Sequence, residues 1–164
     1  EMFSSVWLLS ETGFVLLAAA GAGLLGFYLS VPGRFEKWML AWVGLPLTIW
    51  LTLLGWRLIS YVAEHSVSVL GMVMGWPCTE TLLVLGAGPV AALVWMIRKG
   101  APMRRRKTGF LIFSASFLLA GFGLQFMCTM LASPVHVFYL HVLPILLMTG
   151  LGLWIGKLLL KKKV

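Results

Sequence analysis

The sequence predicts an all-α integral membrane protein, a bundle of about five transmembrane helices with its N-terminus outside and its C-terminus inside. Three observations carry this. The chain is 60% hydrophobic and only 11% charged, whereas a soluble globule has about a quarter of its residues charged. It contains several uncharged apolar runs of about 18 residues or more, the length that crosses a bilayer as a helix. Its basic residues fall into short tracts between or after those runs, as the Lys and Arg of cytoplasmic loops do.

The first span is Gly13–Val31, uncharged and carrying the small-residue string "GAGLLG" at 21–26. The second, Trp38–Trp56, contains Pro46, and the third, Thr81–Ile97, contains "GAG" at 86–88 and Pro89. Gly109–Met130 opens after a basic tract and includes "GFG" at 121–123. The last, about His136–Ile155, holds Pro144, and Gly152 stands at GxxxG spacing from Gly156. Small residues let helices approach closely, and the prolines read as fixed kinks within a packed bundle. The whole chain, 1–164, is one helical domain.

Five spans alternate the joints between two sides. The 32–37 and 98–107 joints and the C-terminal tail then share the cytoplasmic side, and of the 13 basic residues only Arg57 lies elsewhere. The main cytoplasmic basic surface is Arg98, Lys99, Arg104, Arg105, Arg106 and Lys107, while Glu1, Glu11, Glu64 and Glu80 fall outside. Residues 58–76 are apolar but interrupted by Glu64 and His65. Crossing there would carry basic loops outward, so they are expected to be interfacial or re-entrant on the outer face, with Trp76 as an anchor. An outside N-terminus implies a cleaved signal or an upstream sixth helix absent from this chain.

The net charge of +8 follows from topology and does not mark a nucleic-acid surface. No carboxylate or cation lies mid-span, which argues against a pump or proton-coupled transporter. No phosphate loop, nucleophile elbow, HExxH or paired carboxylates are present, so no enzymatic activity is expected.

The chemistry-bearing residues gather on the outer face. Cys78 precedes the third span, and Cys128 closes the fourth, one span down and one span back. Met74, Met127, Met130, His136 and His141 stand at similar depth. Three readings remain open: a disulfide in an oxidising periplasm, a soft-metal site for Cu or Zn, or two unrelated apolar cysteines. His136 and His141 are five apart, and a regular α-helix turns such residues about 140° away from each other. Both join one compact site only with distortion, so His141 is expected to face a neighbouring helix. His65 offers little as a partner for bis-histidine haem.

The second half, about residues 75–160, resembles the NrsF-type bacterial membrane anti-sigma factors, the negative regulators of sigma F. The string that carries this is "WPC" at 76–78, a span with Pro89, "IRKGAP" at 97–102 and Arg104. Gly109 then opens a small-residue span closed by Cys128, and Pro134, "FYLH" at 138–141 and a basic tail follow. The resemblance implies an inner-membrane sensor that regulates an extracytoplasmic-function sigma factor. Cys78 and Cys128 would be its stress-, metal- or oxidant-responsive pair, and a cytoplasmic N-terminal segment preceding this chain would hold the sigma factor. Where the family often carries acidic and polar residues after the second cysteine, this chain has "TMLAS", which removes a carboxylate ligand. The competing class is an accessory subunit of a larger membrane complex, which the glycine-rich packing faces would also suit.

Overall fold

The structure is a computed structural model that describes residues 2–30, 39–64, 76–98, 105–128, 131 and 133–160. The described residues form helices α1 (Met2–Ser30), α2 (Met39–Glu64), α3 (Trp76–Arg98) and α4 (Arg105–Leu124). A last stretch follows in three pieces: α5 (Pro134–Val137), a π-helical turn (Phe138–Val142) and α6 (Leu143–Leu159). Five stretches are long and apolar enough to cross a membrane: Leu9–Leu29, Ala41–Glu64, Pro77–Arg98, Arg105–Leu124 and Pro134–Leu158.

Helix α4 is the centre of the bundle. Of its apolar window 72% is buried inside the protein, against 39% or less for each of the other four. It packs on α6, α1 and α3, and α2 lies against α1. Burial that is nearly continuous round α4 fits its sequence, in which a run of small residues (Ser114, Ala115, Ser116) stands between Phe113 and Phe117 and leaves room for close neighbours. Leu82 on α3, Phe117 and Leu118 on α4 and Ile145 on α6 meet in the main core.

Glycines set the closest approaches. A Cβ on Gly156 would stand 2.6 Å from the Cα of Gly109 and 2.7 Å from the Arg105 carbonyl oxygen. One on Gly152 would stand 2.7 Å from the Cβ of Phe113. The α4–α6 seam is therefore backbone against backbone, the use of small-xxx-small spacing in a helical bundle. On the other side of α4, Gly86 of α3 makes room for the Phe117 ring.

Several boundaries differ from the sequence expectation: α1 begins at Met2 and not Gly13, α3 at Trp76 and not Thr81, and α4 at Arg105 and not Gly109. Helix α2 runs on to Glu64, so residues 58–64 of the expected interfacial segment continue the second helix; residues 65–75 lie outside the described residues. No Gly or Pro occurs between Arg57 and Glu64 to stop it. Helix α4 ends at Leu124, short of Met130. Gly121 and Gly123 weaken its last turn, and the chain closes into tight turns in which the Phe126 amide bonds to the Gly123 carbonyl and that of Met127 to Leu124. The α2 threonines are satisfied within their own helix, whereas the buried hydroxyls of Thr108 and Ser116 in α4 have no hydrogen-bond partner among the described residues. In α2, Thr48 donates to the carbonyls of Gly44 and Leu45, and Thr52 donates to that of Thr48. Such bonding back along the helix lets hydroxyls sit among apolar groups.

Candidate metal centre

Three elements deliver four ligand-type side chains to one end of the bundle. Cys78 lies in the first turn of α3. Cys128 follows α4, and its amide bonds at 2.9 Å to the Leu124 carbonyl, so it is fixed to the helix end. The last stretch starts where Ser133 caps it, its hydroxyl accepting from the His136 amide at 3.4 Å, with Pro134 in the first turn. That cap places His136 next to Cys128.

His141 arrives by the π turn. The Leu143 amide reaches back five residues to the Phe138 carbonyl, so the turn holds one residue more than an α turn. Pro144 accounts for it. Proline has no amide to give to the carbonyl four residues earlier, and its ring crowds that carbonyl. The carbonyl concerned is that of Leu140, and the Thr79 hydroxyl of α3 donates to it at 3.1 Å. The widened turn brings His141 round beside His136, with ring centroids 5.4 Å apart and the rings edge to face. The expectation that His141 turns to a neighbouring helix fails for this reason. The same Thr79 bond ties the residue next to Cys78 to the residue next to His141.

The result is a compact quartet. The sulfurs of Cys78 and Cys128 are 3.7 Å apart and unbridged. Cys128 Sγ is 3.3 Å from His136 Nε2. One ligand atom each from Cys78, Cys128, His136 and His141 lies within 4.8 Å of every other. Both imidazoles are buried, His136 at 3% and His141 at 4% exposure. His136 Nδ1 and His141 Nε2 have no hydrogen-bond partner, an arrangement that costs about 1–3 kcal/mol per group unless something satisfies them.

This set fits a tetrahedral ion. With metal–sulfur bonds of ~2.3 Å and metal–nitrogen bonds of ~2.0–2.1 Å, two sulfurs on one such ion stand about 3.8 Å apart and a sulfur and a nitrogen about 3.6 Å apart. The observed 3.7 and 3.3 Å lie close to both edges. Two thiolates and two imidazoles are a donor set for Zn(II), and thiolates equally select Cu(I).

The other sequence candidates fare differently. Met127 is 66% exposed; Met74 and Met130 lie outside the described residues. At the opposite end, Arg98, Arg106 and Lys107 are exposed and Arg105 is half-buried, while Lys99 and Arg104 lie outside the described residues.

Sequence reasoning missed a polar cluster near the quartet. Arg57 Nη1 donates to both carboxylate oxygens of Glu11, at 2.9 and 3.1 Å. The Thr12 hydroxyl donates to Gln125 Oε1 at 2.6 Å. The signal was present: Arg57 is the one cation off the basic side, and Glu11 falls on the same face.

A family model described as NrsF, negative regulator of sigma F, matches residues 1–161. The match takes in the first two helices as well as the 75–160 stretch that carries the quoted motifs. No curated protein and no solved structure matches the chain.

Proposed function

We propose a function from one premise: the chain belongs to the NrsF family, negative regulators of sigma F. It works as a multi-pass protein of the bacterial inner membrane that restrains a sigma factor, and it is a regulator, not an enzyme. The quartet Cys78, Cys128, His136 and His141 is its sensing site, placed on the periplasmic face. The basic end, with Arg98, Arg105, Arg106 and Lys107, faces the cytoplasm where the sigma factor is found, as the one-sided distribution of Lys and Arg favours.

The observation that carries the sensing reading is the 3.7 Å separation of the two sulfurs beside two buried imidazoles. A soft metal ion there would join the start of α3, the end of α4 and the start of the last span. An oxidant acting on the same thiols would join the first two of these. Either event changes how α3 and α4 pack, and those helices meet the basic joint at their other ends. The test is sigma-dependent transcription in cells carrying Cys78→Ser and Cys128→Ser, challenged with zinc, cadmium, copper or peroxide. Loss of the response in both variants supports the reading, and an unchanged response in both overturns it.

A further inference from the structure

Gln125 stands three residues before Cys128, within the same hydrogen-bonded turn. Its amide bonds to the carbonyls of Gly121 and Phe122, at 3.3 and 3.2 Å, and the Cys128 amide bonds to Leu124. Gln125 and Cys128 thus belong to one hydrogen-bonded turn, which ties the backbone position of one to that of the other. That side chain accepts a 2.6 Å hydrogen bond from Thr12 of α1, 113 residues away in sequence. The preceding residue, Glu11, is 4% exposed and clamped by Arg57 of α2. Helix α2 also packs against α5, the short segment that carries His136. The site thus touches the α1–α2 pair twice, once through Gln125 and once through α5.

We propose that Thr12 and Gln125 are positioning residues that transmit occupation of the cysteine–histidine site to helix α1, with the Glu11–Arg57 pair bracing the receiving end. This rests on the reading that the quartet takes up a ligand. Helix α1 continues unbroken from Thr12 to Ser30, a rise of about 27 Å at ~1.5 Å per residue. A shift imposed at Thr12 therefore reaches the far end of the bundle through one rigid element. A hydroxyl-to-amide bond at 2.6 Å between elements that approach from different sides is specific to those two side chains. Its loss leaves the four ligands untouched.

The experiment uses the full chain in lipid nanodiscs and measures amide hydrogen exchange over residues 9–16 and 134–142. The site is closed in two ways, by added Zn(II) and, separately, by diamide, which takes two electrons and two protons from the two thiols as their sulfur–sulfur bond forms. The variants are Thr12→Val, which keeps shape and loses the donor, Gln125→Leu, and Thr12→Ser, which keeps the donor. Closing the wild-type site is expected to slow exchange over 9–16 at least fivefold. Thr12→Val and Gln125→Leu abolish that change while exchange over 134–142 still responds, and Thr12→Ser retains it. The proposal is overturned if α1 exchange does not respond in the wild type on closure by diamide, or if Thr12→Val responds as the wild type does. A response to diamide with none to zinc leaves the link standing and removes the metal reading instead.

Discussion

His136 and His141 face one another edge to face because the helix between them spends five residues on a π turn. The chain uses Pro144 to open that turn and Thr79 to hold it open, so a proline inside an apolar span becomes the device that assembles a polar site.

Each quartet member is expected to matter for metal affinity. Cys78→Ala, Cys128→Ala, His136→Ala and His141→Ala should each weaken binding by at least ~10–100-fold, the cost of losing even an outer partner of a metal site. Titration of the purified, reduced protein with Cd(II), followed by thiolate-to-metal absorbance, measures it. Binding requires that the thiols lose their protons and the imidazoles be neutral, so affinity should fall as pH is lowered.

The π turn itself makes an unusual prediction. Deleting the exposed Tyr139 together with Pro144→Ala, which removes the cause of the π turn, turns the separation of the histidines from five residues into four. In an α-helix, residues four apart are only about 40° from alignment. The deletion variant is expected to keep both rings on one face, keep the register of α6 and bind Cd(II) nearly as the parent does. Inserting one alanine after Tyr139 should separate the rings and reduce binding to that of His141→Ala.

The α4–α6 seam should reject a single methyl group. Gly156→Ala and Gly109→Ala force backbone apart, and overpacking of this kind costs about 1–3 kcal/mol or more. Gly150→Ala is the control, since its Cβ meets nothing within 4 Å. Thermal unfolding in detergent should show lower midpoints for the first two and an unchanged or higher midpoint for the third.

Breaking the Glu11–Arg57 pair from one side leaves a nearly buried carboxylate without its cation. Arg57→Leu is expected to destabilise by about 1–3 kcal/mol, below the figure for fully buried pairs because the Arg57 side chain is 28% exposed. The double variant Glu11→Leu with Arg57→Leu should recover most of that loss, and a double-mutant cycle on denaturation midpoints measures the difference.

Hydropathy alone located the five spans, since length and lack of charge are one-dimensional properties. Cysteine spacing likewise brought Cys78 and Cys128 to one end of the bundle. What spacing could not supply was the depth and angle of the histidines. A 140° separation is correct for an α-helix, and only the clash of Pro144 with the Leu140 carbonyl changes the helix type. The Glu11–Arg57 and Thr12–Gln125 contacts escaped for a different reason. They depend on which helices are neighbours, and apolar spans of equal length carry little information about their order round a bundle.

The meeting of Gly109, Gly152 and Gly156 bears on what such a bundle is able to do. Packed backbone against backbone, α4 and α6 cannot separate without opening a void. They behave as a fixed axle. On the sensing reading, a change at the cysteines is passed to α3 on one flank and to the α1–α2 pair on the other, while the α4–α6 seam keeps its packing.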